Sequence, residues 1–410
     1  MRKQFTKIAG IALAAVLTVG MLGSTVQHVQ AATVASATSL QFSDVKSSHW
    51  AYSAVQKAVS KGYIDGYTNG TFKPDVSVTR AEFAKMVVAA MELDVQDASG
   101  KWYVPYVDSA TKAELYASAD FSNNDAGWNK VMTCDEMARM AARAIGETTK
   151  EDDKWMYLAT KAGLIQGVGK GQLAPKGLTT RAQAVVLIER LLSKNTGAYL
   201  DVDKYAVGSA EIAWHGTNIF TVMPEMWVTP ESDWKQAGKS SVEEMWNEKL
   251  MTITSKDGLY QGKLDALVAI DLADPNDPNL RLIAPINTLK WFNNRPDVTN
   301  LMVKDQKNSY VLYFKGGSVF NKDPKKYNSY DYLKFRVDGF DSPDYDAFTE
   351  KGVLNMTARV YRNSRTDTPA VIIPKTGTVQ TSGNLEIHLQ TPAGGSLFSE
   401  TIPLSMRGTR

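Results

Sequence analysis

One stretch of this chain recurs 101 residues further on, and that recurrence limits the fold more than any other feature. Gly62-Tyr63-Ile64-Asp65-Gly66 returns as Gly163-Leu164-Ile165-Gln166-Gly167. Gly70, Phe72, Pro74 and Arg80 are matched at the same spacing by Gly171, Leu173, Pro175 and Arg181. A fixed offset implies one supersecondary unit used more than once, each copy leaning on its neighbours to bury an apolar face.

The segment after each proline starts a helix. Thr79-Arg80-Ala81-Glu82 has the form of a capping box, in which the threonine hydroxyl takes the N3 amide and the glutamate reaches back to the cap amide. Thr180-Arg181-Ala182-Gln183 repeats it, and Thr133-Cys134-Asp135-Glu136 is a third copy. Apolar residues then fall at i, i+3, i+4 and i+7, the stripe of a half-buried helix. They are Phe83, Met86, Val87 and Ala90, then Met137, Met140, Ala141 and Ala144, then Ala184, Leu187, Ile188 and Leu191. Three equivalent stripes can bury one another in a three-helix core. Upstream, residues 50–59 read as a second helix that Gly62 ends. Each repeat is therefore helix, glycine-rich loop, helix.

These residues resemble the S-layer homology family. The first copy carries Phe42-Ser43-Asp44-Val45, His49-Trp50-Ala51 and the glycine loop, followed by Thr79-Arg80-Ala81-Glu82. The third matches from Gly163 onward, and the second keeps chiefly its capping box and stripe. The resemblance implies an all-α pseudo-trimer that binds a pyruvylated secondary cell-wall polysaccharide in grooves between repeats. The organisation expected is a leader over 1–31, repeats over 40–96, 97–147 (degenerate) and 148–195, and a β-rich region over 196–410.

Arg80 and Arg181 stand at the first helical position, where a cation opposes the helix dipole. Either each pairs with an acid of the chain, or the helix start receives an anion, with free amides and a guanidinium that grips a carboxylate through two bonds. The resemblance favours the second, with the ketal carboxylate as the anion. Cys134 stands where the second repeat would have its arginine, so its groove is expected to be weak or empty; a thiol pKa can fall at a helix start, but the reading preferred is a small substituted residue on a helix that still packs. Trp50 either stacks on a sugar or packs in the core. Asp44 either accepts sugar hydroxyls or caps the helix of Trp50. The first groove is expected to dominate, because only that copy has Asp44 and Trp50 in the same repeat as its arginine. His49, the only histidine of the repeats, indicates no chemistry by itself.

The N-terminus has the layout of a secretory signal. Arg2, Lys3 and Lys7 precede an apolar run from Ile8 to Leu22, and Val29-Gln30-Ala31 offers a cleavage site. No later run is long enough to span a bilayer. The formal charge is +2, so nothing in the balance points to nucleic acid or an anionic membrane. The single cysteine allows no internal disulfide.

Beyond Asn195 short β-rich runs alternate with turn signals, as at 218–222, 264–270, 310–314, 332–337, 356–361 and 385–389. This pattern suggests an antiparallel β-sandwich. Val242, Met245, Trp246 and Leu250 share the face of one expected helix. No nucleophile elbow, zinc spacing or phosphate loop appears, so no catalytic residue, cofactor or metal is assigned. Asp271, Asp274, Asn276 and Asp277, and likewise Asp341, Asp344 and Asp346, form acidic loops that suit either calcium or an ordinary turn. Trp227, Trp234, Trp246 and Trp291 either line a carbohydrate surface or pack in the core, and core packing is the expectation. The sequence thus describes a binding or structural protein rather than an enzyme. A wall-anchored enzyme acting on polysaccharide and an adhesin or assembly module stand as alternatives.

Overall fold

A computed structural model describes residues 42–410 except 98, 170, 227–228, 292–300, 330–331, 365, 381–384, 394–400 and 407–410. The leader at 1–31 and Trp227 lie outside the described residues. The N-terminal part holds α1 (Tyr52–Ser60), α2 (Arg80–Ala90), α3 (Val104–Lys112), the short α4 (Asp125–Trp128), α5 (Cys134–Ala144), α6 (Trp155–Lys161) and α7 (Arg181–Asn195).

All three expected capping boxes form, at Thr79/Glu82, Thr133/Glu136 and Thr180/Gln183. The stripes of α2, α5 and α7 meet in one apolar cluster. Around it α1 packs on α7, α3 on α2 and α6 on α5, so each outer helix leans on the core helix of another repeat. Gly62 and Gly163 end α1 and α6 with φ of +74° and +77°. In the second repeat the equivalent left-handed residue is Glu114, φ +60°. Only glycine takes that conformation without steric cost.

The helix starts are tied into a ring. The Val78 amide donates to the Thr179 carbonyl, Thr179 to Met132, and Met132 to Val78, each at 2.9 Å. Two residues on, the amides of Arg80, Cys134 and Arg181 donate to the carbonyls of Lys130, Gly177 and Val76, at 2.8–3.0 Å. The amides of Asp135 and Ala182 are taken by Pro175 and Pro74. The expectation of free amides at these helix starts is therefore corrected. Buried amides find partners, and here the neighbouring repeat supplies them before any ligand can.

After α7 the chain runs into α8 (Lys204–His215), which packs on α6. Val207, Ala210 and Trp214 share an apolar cluster with Trp155, Met156, Tyr157 and Ala159. A core thus crosses the boundary expected at 195/196. Polar contacts cross it too. Lys161 and the Tyr157 hydroxyl bind Glu243 at 2.6 and 2.9 Å, and Lys154 pairs with Glu244.

The strand expected at 218–222 is instead a helical turn, α9 (Ile219–Val222). The buried Glu211 carboxylate accepts the amides of Phe220 (3.1 Å) and Thr221 (2.9 Å), which starts the turn against the β-propensity of its residues. A short α10 (Glu231–Gln236) follows. The helix expected around Val242–Leu250 is two 3₁₀ turns, Glu243–Met245 and Glu248–Met251. Trp246 breaks them with an extended backbone and is buried, and Asn247 caps the second turn.

The remaining elements are β1 (Thr252–Thr254), β2 (Tyr260–Asp271), β3 (Lys290–Trp291), β4 (Ser309–Asn321), β5 (Lys334–Asp338), β6 (Phe340–Asp341), α11 (Tyr345–Lys351), β7 (Ala358–Tyr361), β8 (Ala370–Pro374), β9 (Val379–Gln380), β10 (Leu385–Gln390) and β11 (Thr401–Met406). All pairings between strands among the described residues are antiparallel. They form a six-stranded sheet of order β1-β2-β4-β8-β7-β3, a three-stranded sheet β11-β10-β5 and the pair β6-β9. Alternation along β2 feeds two cores. Leu264, Leu267 and Ala269 pack with Phe335, Val337 and Ile387 of the three-stranded sheet, while Val268 and Ile270 pack with Trp291, Phe348 and Val360. Trp246 and Trp291 are core residues, and Trp234 is half-buried.

Candidate functional site

Arg80 is a buried side chain. Its Nε donates to Glu136 Oε2 at 3.1 Å, its Nη2 pairs with Glu136 Oε1, and its Nη1 donates to the Gly127 carbonyl at 2.9 Å. The guanidinium lies 4.1 Å from the Phe121 ring centroid. Glu136 is the capping-box glutamate of the next repeat, so one carboxylate both closes a cap and neutralises Arg80. Burial alone would raise its pKa, but Arg80 and the Thr133 amide more than offset that and hold it low.

Arg181 has no such partner. Its Nε donates to the Phe72 carbonyl at 2.9 Å and its Nη2 to the Asp65 carbonyl at 3.1 Å. Among the described residues no carboxylate pairs with it, so three of the five N–H donors of a guanidinium remain for a ligand. Lys73, with φ of +57°, places its ammonium 4.0 Å from the Tyr67 ring centroid, and Arg181 lies 5.1 Å from the same ring. Two cations without an ion pair among the described residues therefore flank one tyrosine.

Asp44 builds this patch rather than facing a ligand. Its two oxygens accept the amides of Phe72 (2.8 Å) and Lys73 (2.7 Å), which fixes the loop that Arg181 grips. Burial pushes its pKa up, and those amides outweigh it and bring it below the ordinary value. It caps no helix, since α1 begins without a side-chain cap. Asp44 thus serves the arginine of the third repeat, not that of its own.

Trp50 lines a groove whose described lining residues include neither Arg80 nor Arg181. It is 62% exposed, stacks on His49 at 5.7 Å and shares this groove of about 530 Å³ with Cys134, Gln166, Gly167, Gln183 and Arg190. The expectation that Asp44 and Trp50 flank Arg80 is corrected, because the repeats exchange helices and a groove draws its residues from all three copies. Burial raises the Cys134 thiol pKa, as suits a packed residue rather than a reactive thiol. Sequence reasoning missed Lys73 and Arg190. The signal for Lys73 was its place next to the loop proline, and for Arg190 its alignment with Arg143 in the second stripe.

The acidic loops show no metal geometry. Asp271 pairs with Lys375, Asp274 with Lys204, and Asp277 accepts the amides of Asp271 and Asn279. Asp344 caps α11. No cluster of three metal-ligating side chains exists among the described residues.

The helical part is thus a module of interlocked repeats with a groove lined by Arg190 and, apart from it, a cationic patch of Arg181 and Lys73 about Tyr67. Residues 41–84 and 150–185 match the S-layer homology domain. An amylopullulanase of Thermoanaerobacterium thermosulfurigenes is 30% identical over 181 residues, 38% of this chain and 10% of that protein. A cellulosome-anchoring protein of Acetivibrio thermocellus is 34% identical over 83 residues, 17% of this chain and 19% of that protein. The surface-layer 125 kDa protein of Lysinibacillus sphaericus is 28% identical over 213 residues, 46% of this chain and 18% of that protein. The chain spans less than a fifth of the length of each of these relatives. No helix among the described residues is long and apolar enough to cross a membrane.

Proposed function

We propose that this protein is exported by its leader and held non-covalently on the bacterial cell wall, where its repeats bind a pyruvylated secondary cell-wall polysaccharide. The observation that carries this reading is Arg181, a guanidinium with donors to spare beside Lys73 and Tyr67. Two cations around one ring repel each other, and a carboxylate between them relieves that repulsion. Tyr67 is 38% exposed and offers a face to a sugar ring. The ring of bonds among the helix starts supports a pseudo-three-fold arrangement that holds the Arg181 helix start in place without a ligand. The sheet-rich region, which we read as a β-sandwich, is displayed as a binding or structural module without catalytic activity.

Sedimentation of the full chain with purified sacculi tests the anchoring. Binding is expected to sacculi that carry the polymer, and to fall on sacculi stripped of it or lacking its pyruvate. Equal binding to all three rejects the reading.

A further inference from the structure

The end of α8 is tied to β2. The Leu267 amide donates to the Gly216 carbonyl and the Thr217 hydroxyl to the Leu267 carbonyl, both at 2.8 Å. The Asn218 side chain exchanges two bonds with the backbone of Ala269, at 2.7 and 3.0 Å. Trp214 packs the same helix against α6 of the third repeat. His215, between these two sets of contacts, stands where the helical repeats meet the sheet-rich region.

His215 is 2% exposed, and neither ring nitrogen has a hydrogen-bond partner among the described residues. A neutral imidazole buried in this way leaves one donor and one acceptor unmet, which is costly. Both nitrogens nevertheless face acids. Nε2 lies 3.6 Å from Glu211 Oε1, and Nδ1 lies 3.9 Å from Glu248 Oε1, each just beyond hydrogen-bond length. An imidazolium has two N–H donors and can use both acids after a small shift. The ring faces suit a cation as well. Trp214 stacks on the imidazole at 4.1 Å and Phe220 lies at 5.8 Å, and an aromatic face attracts positive charge.

The charges around this ring leave the place of a cation open. Glu211 is fully buried and accepts the Phe220 and Thr221 amides and the Thr221 hydroxyl, and no lysine or arginine among the described residues pairs with it. Burial pushes its carboxyl up, and the bonds to it offset only part of that. On α6, the Tyr157 hydroxyl and Lys161 are taken by Glu243. Lys154 lies 4.4 Å from the Trp214 ring but pairs with Glu244, and the indole N–H goes to Glu151. On β2, Leu267 and Ala269 carry no charge, and on α9 neither do Phe220 and Thr221. In the turn at Glu248–Met251, Glu248 is the acid, and its neighbour Lys249 is exposed.

We infer that His215 is a proton-operated latch between the helical repeats and the sheet-rich region: with both nitrogens protonated it bridges Glu211 and Glu248 and closes the joint, and when neutral it lets go of them. The bridge exists only in the folded joint, so the joint is tighter on the acid side of the imidazole range and loosens as pH rises through it. Glu243 gives up its charge only near pH 2, so the two responses do not overlap. The latch acts independently of what the repeats bind.

Hydrogen exchange of the full chain, read by mass spectrometry at about pH 5.5 and about pH 8 on either side of the imidazole range, measures opening of the joint once the intrinsic pH dependence of exchange is divided out. Protection over 212–222 and 248–253 is expected to be about tenfold higher at the lower pH, with α2 as the unchanged control. The difference is expected to shrink in Glu248→Gln, a change of a side chain that is half exposed, and to vanish in His215→Gln. Ring nitrogen shifts of His215 are expected to show two protonated nitrogens at the lower pH and one at the higher. Equal protection at the two pH values in the wild type overturns the latch. So does a difference that survives His215→Gln or, where that variant fails to fold, one that is undiminished in Glu248→Gln. A His215 ring whose protonation does not change between the two pH values overturns it as well.

Discussion

Arg80 Nε lies 3.1 Å from Glu136 Oε2, and the carboxylate that receives it is the closing residue of the next repeat's capping box. Arg181, which occupies the same position in its own repeat, meets two carbonyls and no acid among the described residues. Identical placement in the sequence has produced one structural and one available cation.

The two arginines are therefore expected to part under mutation. Arg80→Ala strands a largely buried carboxylate, and breaking a buried pair in this way costs about 3–5 kcal/mol. Arg181→Ala removes two bonds to loop carbonyls and should leave the core intact. If its guanidinium holds the ligand, losing it costs on the order of 1.5–3 kcal/mol of affinity. Urea unfolding and isothermal titration with a pyruvylated disaccharide separate the two effects. Equal destabilisation by both variants contradicts the assignment.

Thr79→Ala removes a hydroxyl that accepts the Glu82 amide at 3.2 Å. An N-cap of this kind is worth about 1 kcal/mol. Its effect should appear in the unfolding midpoint, with polymer affinity per folded molecule unchanged.

Glu114 has φ of +60° and an exposed side chain, at the position where the other repeats have glycine. The left-handed conformation costs a non-glycine residue about 1–2 kcal/mol, part of which a glycine returns through its freer unfolded state. Glu114→Gly is expected to stabilise the protein by about 0.5–1 kcal/mol, read as a higher Tm. No gain in Tm would mean that the turn is not strained.

The helical half was legible because its signals are local. Capping boxes and i, i+3, i+4 stripes place three helices and their buried faces without knowledge of tertiary contacts. What the sequence could not supply was the exchange of helices between repeats. That exchange sends Asp44 to Arg181 rather than Arg80 and leaves Trp50 with Arg190. In the other half, strands at 264–270 and 310–314 were legible from apolar, β-branched runs. The stretch at 218–222 reads equally β-rich, yet the Glu211 carboxylate, distant in the pattern, captures its amides and turns it into a helix. The stripe at Val242–Leu250 points inward as expected, but through two tight turns rather than one helix.

The segment between α7 and α8 gives the last prediction. Tyr199 is 86% exposed there, and the backbone from 197 to 203 is in no regular element, so limited proteolysis should cut within it. The fragments are expected to stay together after the cut. Trp214 packs its ring at a tilt against Tyr157, 4.9 Å between centroids, and donates to Glu151 at 2.8 Å, while Lys161 holds Glu243 at 2.6 Å. Burial works to raise the pKa of Glu243, but Lys161 outweighs it and the pKa falls to about 2. An unfolded glutamate titrates at about 4.3. The folded value is the lower one, so this contact contributes fully above that range and is lost as pH falls toward the folded value. The nicked protein should therefore elute as one species at pH 7 and begin to separate as pH drops from about 4.5 toward 2. Lys161→Met and Trp214→Ala should move the separation to higher pH. Fragments that part at pH 7 in the wild type would show that the core across α6 and α8 is too small to join the halves.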